Sequence, residues 1–193
     1  MKGISIALAV RMAISYWLLA IGSLLTANSQ KPCAIVLTGD ILLDRGVRQV
    51  IDRQGIDPLF SPGIDSVLQS SDVAVGNLEC PATKIKAPVF KQYIFRAEPE
   101  WLTDLKRHGI THLNLANNHS IDQGREGLLD TYQNIQKAGI VPFGAGRNMQ
   151  EAIQPVLLSD TPRRVWLVAS LQLASFSLGL LTKPLSEMRS SMV

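Results

Sequence analysis

Histidine is scarce in this chain: three occur among 193 residues, and none follows His119. Cysteine is scarcer, with two in all, and their spacing is not of any zinc-binding kind, so a cysteine-built metal site is excluded. Aromatic residues make up 6% of the sequence and no run of lysine and arginine occurs. Without a stacking platform or a basic stripe, nucleic acid is a poor partner. There is no internal repeat at solenoid-like periods. Gly144-Ala145-Gly146 fits a tight turn, but no Gly-Lys-Ser/Thr follows it, so a phosphate cradle has little support. At 193 residues the chain suffices for one domain with a real core and is too short for two ordinary ones.

The sequence opens with Lys2 and Arg11 before an uncharged apolar segment, Met12 to Ala27, ending in Thr26-Ala27-Asn28. This has the form of a signal peptide. It falls short of the roughly 20 residues that span a bilayer comfortably, and extension toward Gln30 makes a retained N-terminal anchor the alternative. Both readings predict an extracytoplasmic protein, secreted or held at the membrane by this segment. Residues 1–27 carry two of the nineteen basic residues and none of the sixteen acidic ones, which leaves 17 minus 16, a net charge of +1. Basicity is therefore mostly a targeting feature. An oxidising compartment permits a bridge between Cys33 and Cys80; two unrelated small apolar side chains are the alternative, since spacing does not bring sulfurs together.

Beyond the leader, strand and helix alternate. Apolar runs at Ala34 to Thr38, Asp72 to Val75 and Thr111 to Ala116 read as buried strands. Helical spacing from Asp44 to Gln54, from Pro62 to Ser70-Ser71, from Pro99 to Gly109 and from Gly127 to Ala138 predicts helices between them. Ile140 to Phe143 reads as a further strand, and Pro155 to Leu158 and Val165 to Ala169 as two more, joined by an Asp160-Thr161-Pro162 turn. Asn148 and Glu151 make a capping box. Residues 80–98 are a long polar loop flanked by Pro81 and Pro88, which predicts a lid or substrate wall beside Glu79. After about position 178 no element is evident.

Each of the three strands ends in a polar cluster: Gly39-Asp40 through Asp44-Arg45, Asn77-Leu78-Glu79, and Asn117-Asn118-His119 with Asp122. Ligands of open α/β sheets bind just beyond the carboxyl ends of the strands. Carboxylates, a carboxamide and an imidazole then converge on one rim, a set suited to a hard or borderline divalent cation. Asp40 is the favoured metal or substrate contact, whereas Asp44 suits a helix N-cap better than a ligand. Glu79 sits among apolar neighbours, where an unpaired carboxylate is costly and a cation removes the cost. Asn118 can ligate a metal, and His119 can polarise a leaving group or act as general acid. Asp122 can orient the His119 ring. Arg45 and Arg96 can orient an anionic group; His108 and His112 read as structural.

These residues resemble a known family. Gly39-Asp40-Ile41-Leu42-Leu43-Asp44-Arg45-Gly46, Gly76-Asn77-Leu78-Glu79-Cys80-Pro81, Ala116-Asn117-Asn118-His119-Ser120-Ile121-Asp122-Gln123-Gly124 and Phe143-Gly144-Ala145-Gly146 are similar, in order, to the CapA family of poly-γ-glutamate capsule synthesis proteins, itself similar in fold to calcineurin-like metallophosphoesterases. The resemblance implies a layered α/β sandwich, four layers with two central sheets when complete, of which this chain holds the N-terminal part. It implies metal ligation by Asp40, Glu79, Asn118 and His119, catalysis by His119 with Asp122, and substrate contacts from Arg45, Arg96 and Asn117. The cofactor it implies is a divalent ion such as Mn, Fe, Zn or Mg. Implied partners are an extracellular polyglutamate or related polymer and a membrane-bound synthesis complex. Metallophosphoesterase-like sites draw further histidines from late motifs that this sequence lacks, and the four named ligands are too few for two metals. The expected organisation is a leader over 1–27, a partial CapA-like domain over 33–169 and an irregular tail over 170–193, as in a truncated product. A non-catalytic binding subunit of a polymer-synthesis complex and an inactive fragment are the rival readings.

Overall fold

The computed structural model describes residues 32–171. The expected leader or anchor over 1–27 and nearly all of the expected tail lie outside the described residues. Among the described residues no helix is long and apolar enough to cross a membrane.

Four parallel strands form the central sheet in the order β1 (Ile35–Ile41), β2 (Val73–Leu78), β3 (His112–Asn114) and β4 (Val141–Phe143). Strand order follows chain order, and right-handed crossovers then put every connecting helix on the same side. The connections are α1 (Arg45–Gln54) and α2 (Pro62–Ser70) after β1, α3 (Trp101–Arg107) after β2, and α4 (Gly124–Lys137) after β3. One core joins Ala74, Leu78 and Leu113 of the sheet to Ile51 of α1, Leu68 of α2, Leu102 and Leu105 of α3, and Ile135 of α4. Successive strand residues face opposite ways, so Val73 and Val75 meet the other layer. That layer is an antiparallel hairpin, β5 (Val156–Ser159) with β6 (Val165–Leu167), whose Leu158 packs with Val73, Val75 and Phe143. A short helix, α5 (Met149–Ala152), precedes it, capped by Asn148 accepting from the Glu151 amide at 2.9 Å.

The α/β fold with a parallel sheet is the expected one, with shifted boundaries. The third strand contracts to three residues because the chain turns at Leu115, and α4 starts at Gly124, ahead of the expected Gly127. Gly55 ends α1 at φ 79°, and its amide donates to Ile51. The hairpin covers its face of the sheet only partly: Leu37 is 66% and Val141 42% exposed.

A β-bulge between Leu37 and Asp40 is what aims the first polar cluster. Leu37 pairs with Val75 and Asp40 with Asn77, so two residues of β1 stand opposite one of β2. Asp40, Asn77 and Asn114 then sit side by side across three strands.

Candidate functional site

The carboxyl ends of β1 to β3 gather the predicted residues: Asp40 pairs with Asn77 across the sheet, and the Glu79 amide donates to the Ile41 carbonyl at 3.0 Å, beside Asp40. Partial burial and the neighbouring Asp40 carboxyl raise the Glu79 pKa, with His119 and Lys91 pulling the other way. Two adjacent carboxylates repel once both ionise, so the pair costs stability as pH rises through the carboxylate range. A cation between them reverses that sign.

His119 is held on three sides. Its backbone amide donates to Asn117 Oδ1 at 3.0 Å, its Nδ1 meets Asp122 Oδ2 at 2.7 Å, and its ring packs against Phe95 with centroids 4.3 Å apart. A nitrogen and a carboxylate oxygen at 2.7 Å need a proton between them, which belongs on Nδ1 and leaves Nε2 as the acceptor nitrogen of the neutral ring. Asp122 itself is fully buried and also accepts from Lys91 Nζ at 2.7 Å and from the Phe95 amide at 2.8 Å. The orienting role expected for Asp122 thus has its geometry.

Lys91 is the residue that sequence reasoning missed. A lysine in a polar loop reads as solvated, yet its ammonium contacts Asn118 O at 2.6 Å, Asp122 Oδ1 at 2.7 Å and His119 Nδ1 at 3.2 Å. The 80–98 loop is a wall of the site: its base is closed by the Ala82 and Ala97 bridge, and the Val89 amide donates to Asp122 O at 3.1 Å. Phe90 at its tip is fully exposed. Replacing Lys91 by methionine removes one donor from a buried carboxylate and one anchor from the loop. The expected loss is about 1 to 3 kcal/mol, read by urea denaturation, with faster proteolysis inside residues 85–95.

The remaining candidates divide. Arg45 is exposed at the start of α1 with φ 55°, and its guanidinium lies 4.8 Å from both the Tyr93 and Phe95 ring centroids. That stacking holds a cation facing solvent beside the rim. Arg96 is committed elsewhere: it donates to Thr83 O at 2.8 Å and Glu98 Oε1 at 2.7 Å. Asn117 braces the strand ends, donating to Asn77 Oδ1 and Leu78 O, each at 3.0 Å. Asn118 is exposed and offers its carbonyl to Lys91. Asp44 caps α1 through the Arg45 amide at 2.7 Å, as the sequence predicts. His108 is buried between Asp65 and Asp57 and stacked on Phe60, away from these contacts. Both cysteines are free, and Cys80 is buried, with its thiol pushed up to about 12 by that burial.

Among the described residues no group of three or more His, Cys, Asp and Glu side chains is arranged to hold a metal. The donor set is therefore unlike a closed zinc site, which takes four protein ligands. Two adjacent carboxyls fit a hard cation that keeps several of its waters, as Mg²⁺ does.

Gly144 gives the site room. A Cβ there would stand 2.6 Å from Asn114 Oδ1 and 2.9 Å from the Ala116 nitrogen, and φ is +80°. Gly144→Ala is expected to lower stability by about 1 to 3 kcal/mol, measured by denaturant titration; an unchanged midpoint would contradict this packing.

Comparison with known proteins gives a consistent picture. A family model described as "Bacterial capsule synthesis protein PGA_cap" matches residues 34–179. Capsule biosynthesis protein CapA of Bacillus anthracis is 33% identical over 121 residues, 61% of this chain and 29% of that protein. PGA biosynthesis protein CapA of Bacillus subtilis (strain 168) is 33% identical over 116 residues, 59% and 30% of the two chains. Uncharacterized protein y4uA of Sinorhizobium fredii (strain NBRC 101917 / NGR234) is 29% identical over 141 residues, 70% and 29%. The match thus spans less than a third of the length of these curated relatives.

Proposed function

Because this chain belongs to the bacterial capsule synthesis protein family PGA_cap, we propose that it takes part in poly-γ-glutamate capsule biosynthesis through a cation site on the rim of its parallel sheet. Asp40 and Glu79 hold a hydrated divalent ion, Mg²⁺ or Mn²⁺ before Zn²⁺ or Fe²⁺, with Asn118 beside them. The observation that carries this is that the strand ends bring the two carboxylate-bearing residues together: Asp40 pairs with Asn77 across the sheet, and the Glu79 amide donates to the Ile41 carbonyl at 3.0 Å. When bound, such an ion supplies positive charge that polarises an anionic oxygen. His119, fixed by Asp122, presents Nε2 to that oxygen's neighbourhood as ligand or proton carrier. Arg45, stacked on Tyr93 and Phe95, receives a carboxylate of the polymer. Asn117 keeps the rim in shape, and the Arg96 side chain supports the loop that walls it.

The substrate in this reading is an extracellular polyglutamate or a related anionic polymer, handled on the outer side of the membrane with a membrane-bound synthesis complex as partner. The small donor set also favours a second reading, a non-catalytic polymer-binding subunit of that complex. Calorimetric titration of the full chain with Mn²⁺ and then with poly-γ-glutamate separates the two. Polymer binding that needs the ion and is lost in Arg45→Ala supports the cation site; binding indifferent to Mn²⁺ favours the subunit.

A further inference from the structure

Three asparagines stand between the strand ends and the carboxyl pair, and their orientations are fixed by backbone groups. The Ala116 amide donates to Asn114 Oδ1 at 3.0 Å, and the His119 amide donates to Asn117 Oδ1 at 3.0 Å. A backbone N–H can meet only the oxygen of a carboxamide, so the nitrogens of Asn114 and Asn117 must face the other way. Both point to Asn77 Oδ1, at 2.9 and 3.0 Å. Asn77 therefore turns its oxygen to these two donors and its nitrogen to Asp40, whose Oδ1 it meets at 2.7 Å. The usual ambiguity in placing carboxamide atoms is removed by the two backbone contacts.

We infer that Asn77 is a positioning residue for Asp40, a carboxamide locked by Asn114 and Asn117 so that its NH₂ fixes one carboxylate oxygen and sets the face Asp40 turns toward Glu79. Asp40 needs such help, being exposed on an edge strand just past a β-bulge. An exposed aspartate without a fixed partner samples several rotamers, and each loses part of the geometry a two-carboxylate ion site requires. The lock also ties Asp40 to His119, because the Asn117 carboxamide that faces Asn77 accepts from the His119 amide.

The consequence for ion affinity rests on the proposed cation site; the consequence for Asp40 does not. Side-chain χ1 couplings of Asp40, measured by NMR on the full chain without added metal, are expected to report one rotamer. In Asn77→Ala they are expected to average over rotamers. Asn77→Asp keeps the shape and the acceptor for Asn114 and Asn117 but offers Asp40 an oxygen in place of a donor, so Asp40 is expected to leave its rotamer there too. It serves if the alanine variant does not fold. A single unchanged Asp40 rotamer in the folded variants overturns the inference. Mn²⁺ titration of Asn77→Ala is expected to show affinity about 10- to 100-fold weaker, the usual effect of losing a ligand's hydrogen-bonding partner. If the rotamer loosens while neither protein binds Mn²⁺, the positioning role stands and the cation site falls. If both bind Mn²⁺ equally, the inference falls and the site stands.

Discussion

Asp122→Ala is expected to lower folding stability by about 3 to 5 kcal/mol, the range for removing one partner of a buried ionic cluster. The carboxylate is fully buried and takes hydrogen bonds from His119 Nδ1, Lys91 Nζ and the Phe95 amide. Alanine takes the acceptor from a buried imidazole and a buried backbone N–H, and leaves the half-buried Lys91 ammonium with the Asn118 carbonyl alone. It also releases the 80–98 loop, because two of those donors, Lys91 and Phe95, belong to it. Asp122→Asn keeps the shape and one acceptor oxygen, so its loss is expected to be the smaller of the two. Guanidinium denaturation reads both. A cost below about 1 kcal/mol for the alanine variant would mean that the loop and His119 are held by other contacts.

The second large effect lies at Glu98, where three cations meet. Its carboxylate receives Arg96 Nη2 at 2.7 Å, Arg48 Nη1 at 3.0 Å and Lys84 Nζ at 2.8 Å, joining the start of α1, the loop and the turn before α3. The Arg96 hydrogen bond, followed by those of Lys84 and Arg48, holds its pKa far below the ordinary 4.5. A carboxylate depressed in the folded state stabilises above its unfolded value, and that stability fades as pH falls through and below about 4. Wild type is therefore expected to exceed Glu98→Gln in stability by about 1 to 3 kcal/mol at pH 7. The gap should narrow progressively as pH falls from about 5 toward 2. Thermal melts across that interval decide the matter; a gap that persists unchanged at pH 2 would show that charge at Glu98 is not the cause.

Much of the fold was readable because buried parallel strands appear as short apolar runs and because Gly55, Pro62 and Gly139 punctuate the helices where the structure begins or ends them. The placing of Asp40, Glu79 and His119 each just past a strand end was legible from the apolar runs that precede them. Asp122 was legible through its spacing from His119, three residues on in one turn. What escaped was whatever depends on register or on a loop. The row Asp40, Asn77, Asn114 exists only because a bulge shifts β1 by one residue, and no residue pattern announces that shift. Lys91 folds back from a stretch without periodicity. Arg96 looked available for an anion, yet Glu98 two residues later takes its guanidinium, an interaction that competes with the functional reading at short range.

The claim on which the rest stands is that Asp40 and Glu79 together grip one divalent ion. Anomalous diffraction at the manganese edge, from crystals of the full chain grown with Mn²⁺, tests it most directly. A single strong peak bounded by the carboxylates of Asp40 and Glu79, on the side of His119 Nε2, is the predicted result. A peak elsewhere, or none with both carboxylates in place, would contradict it.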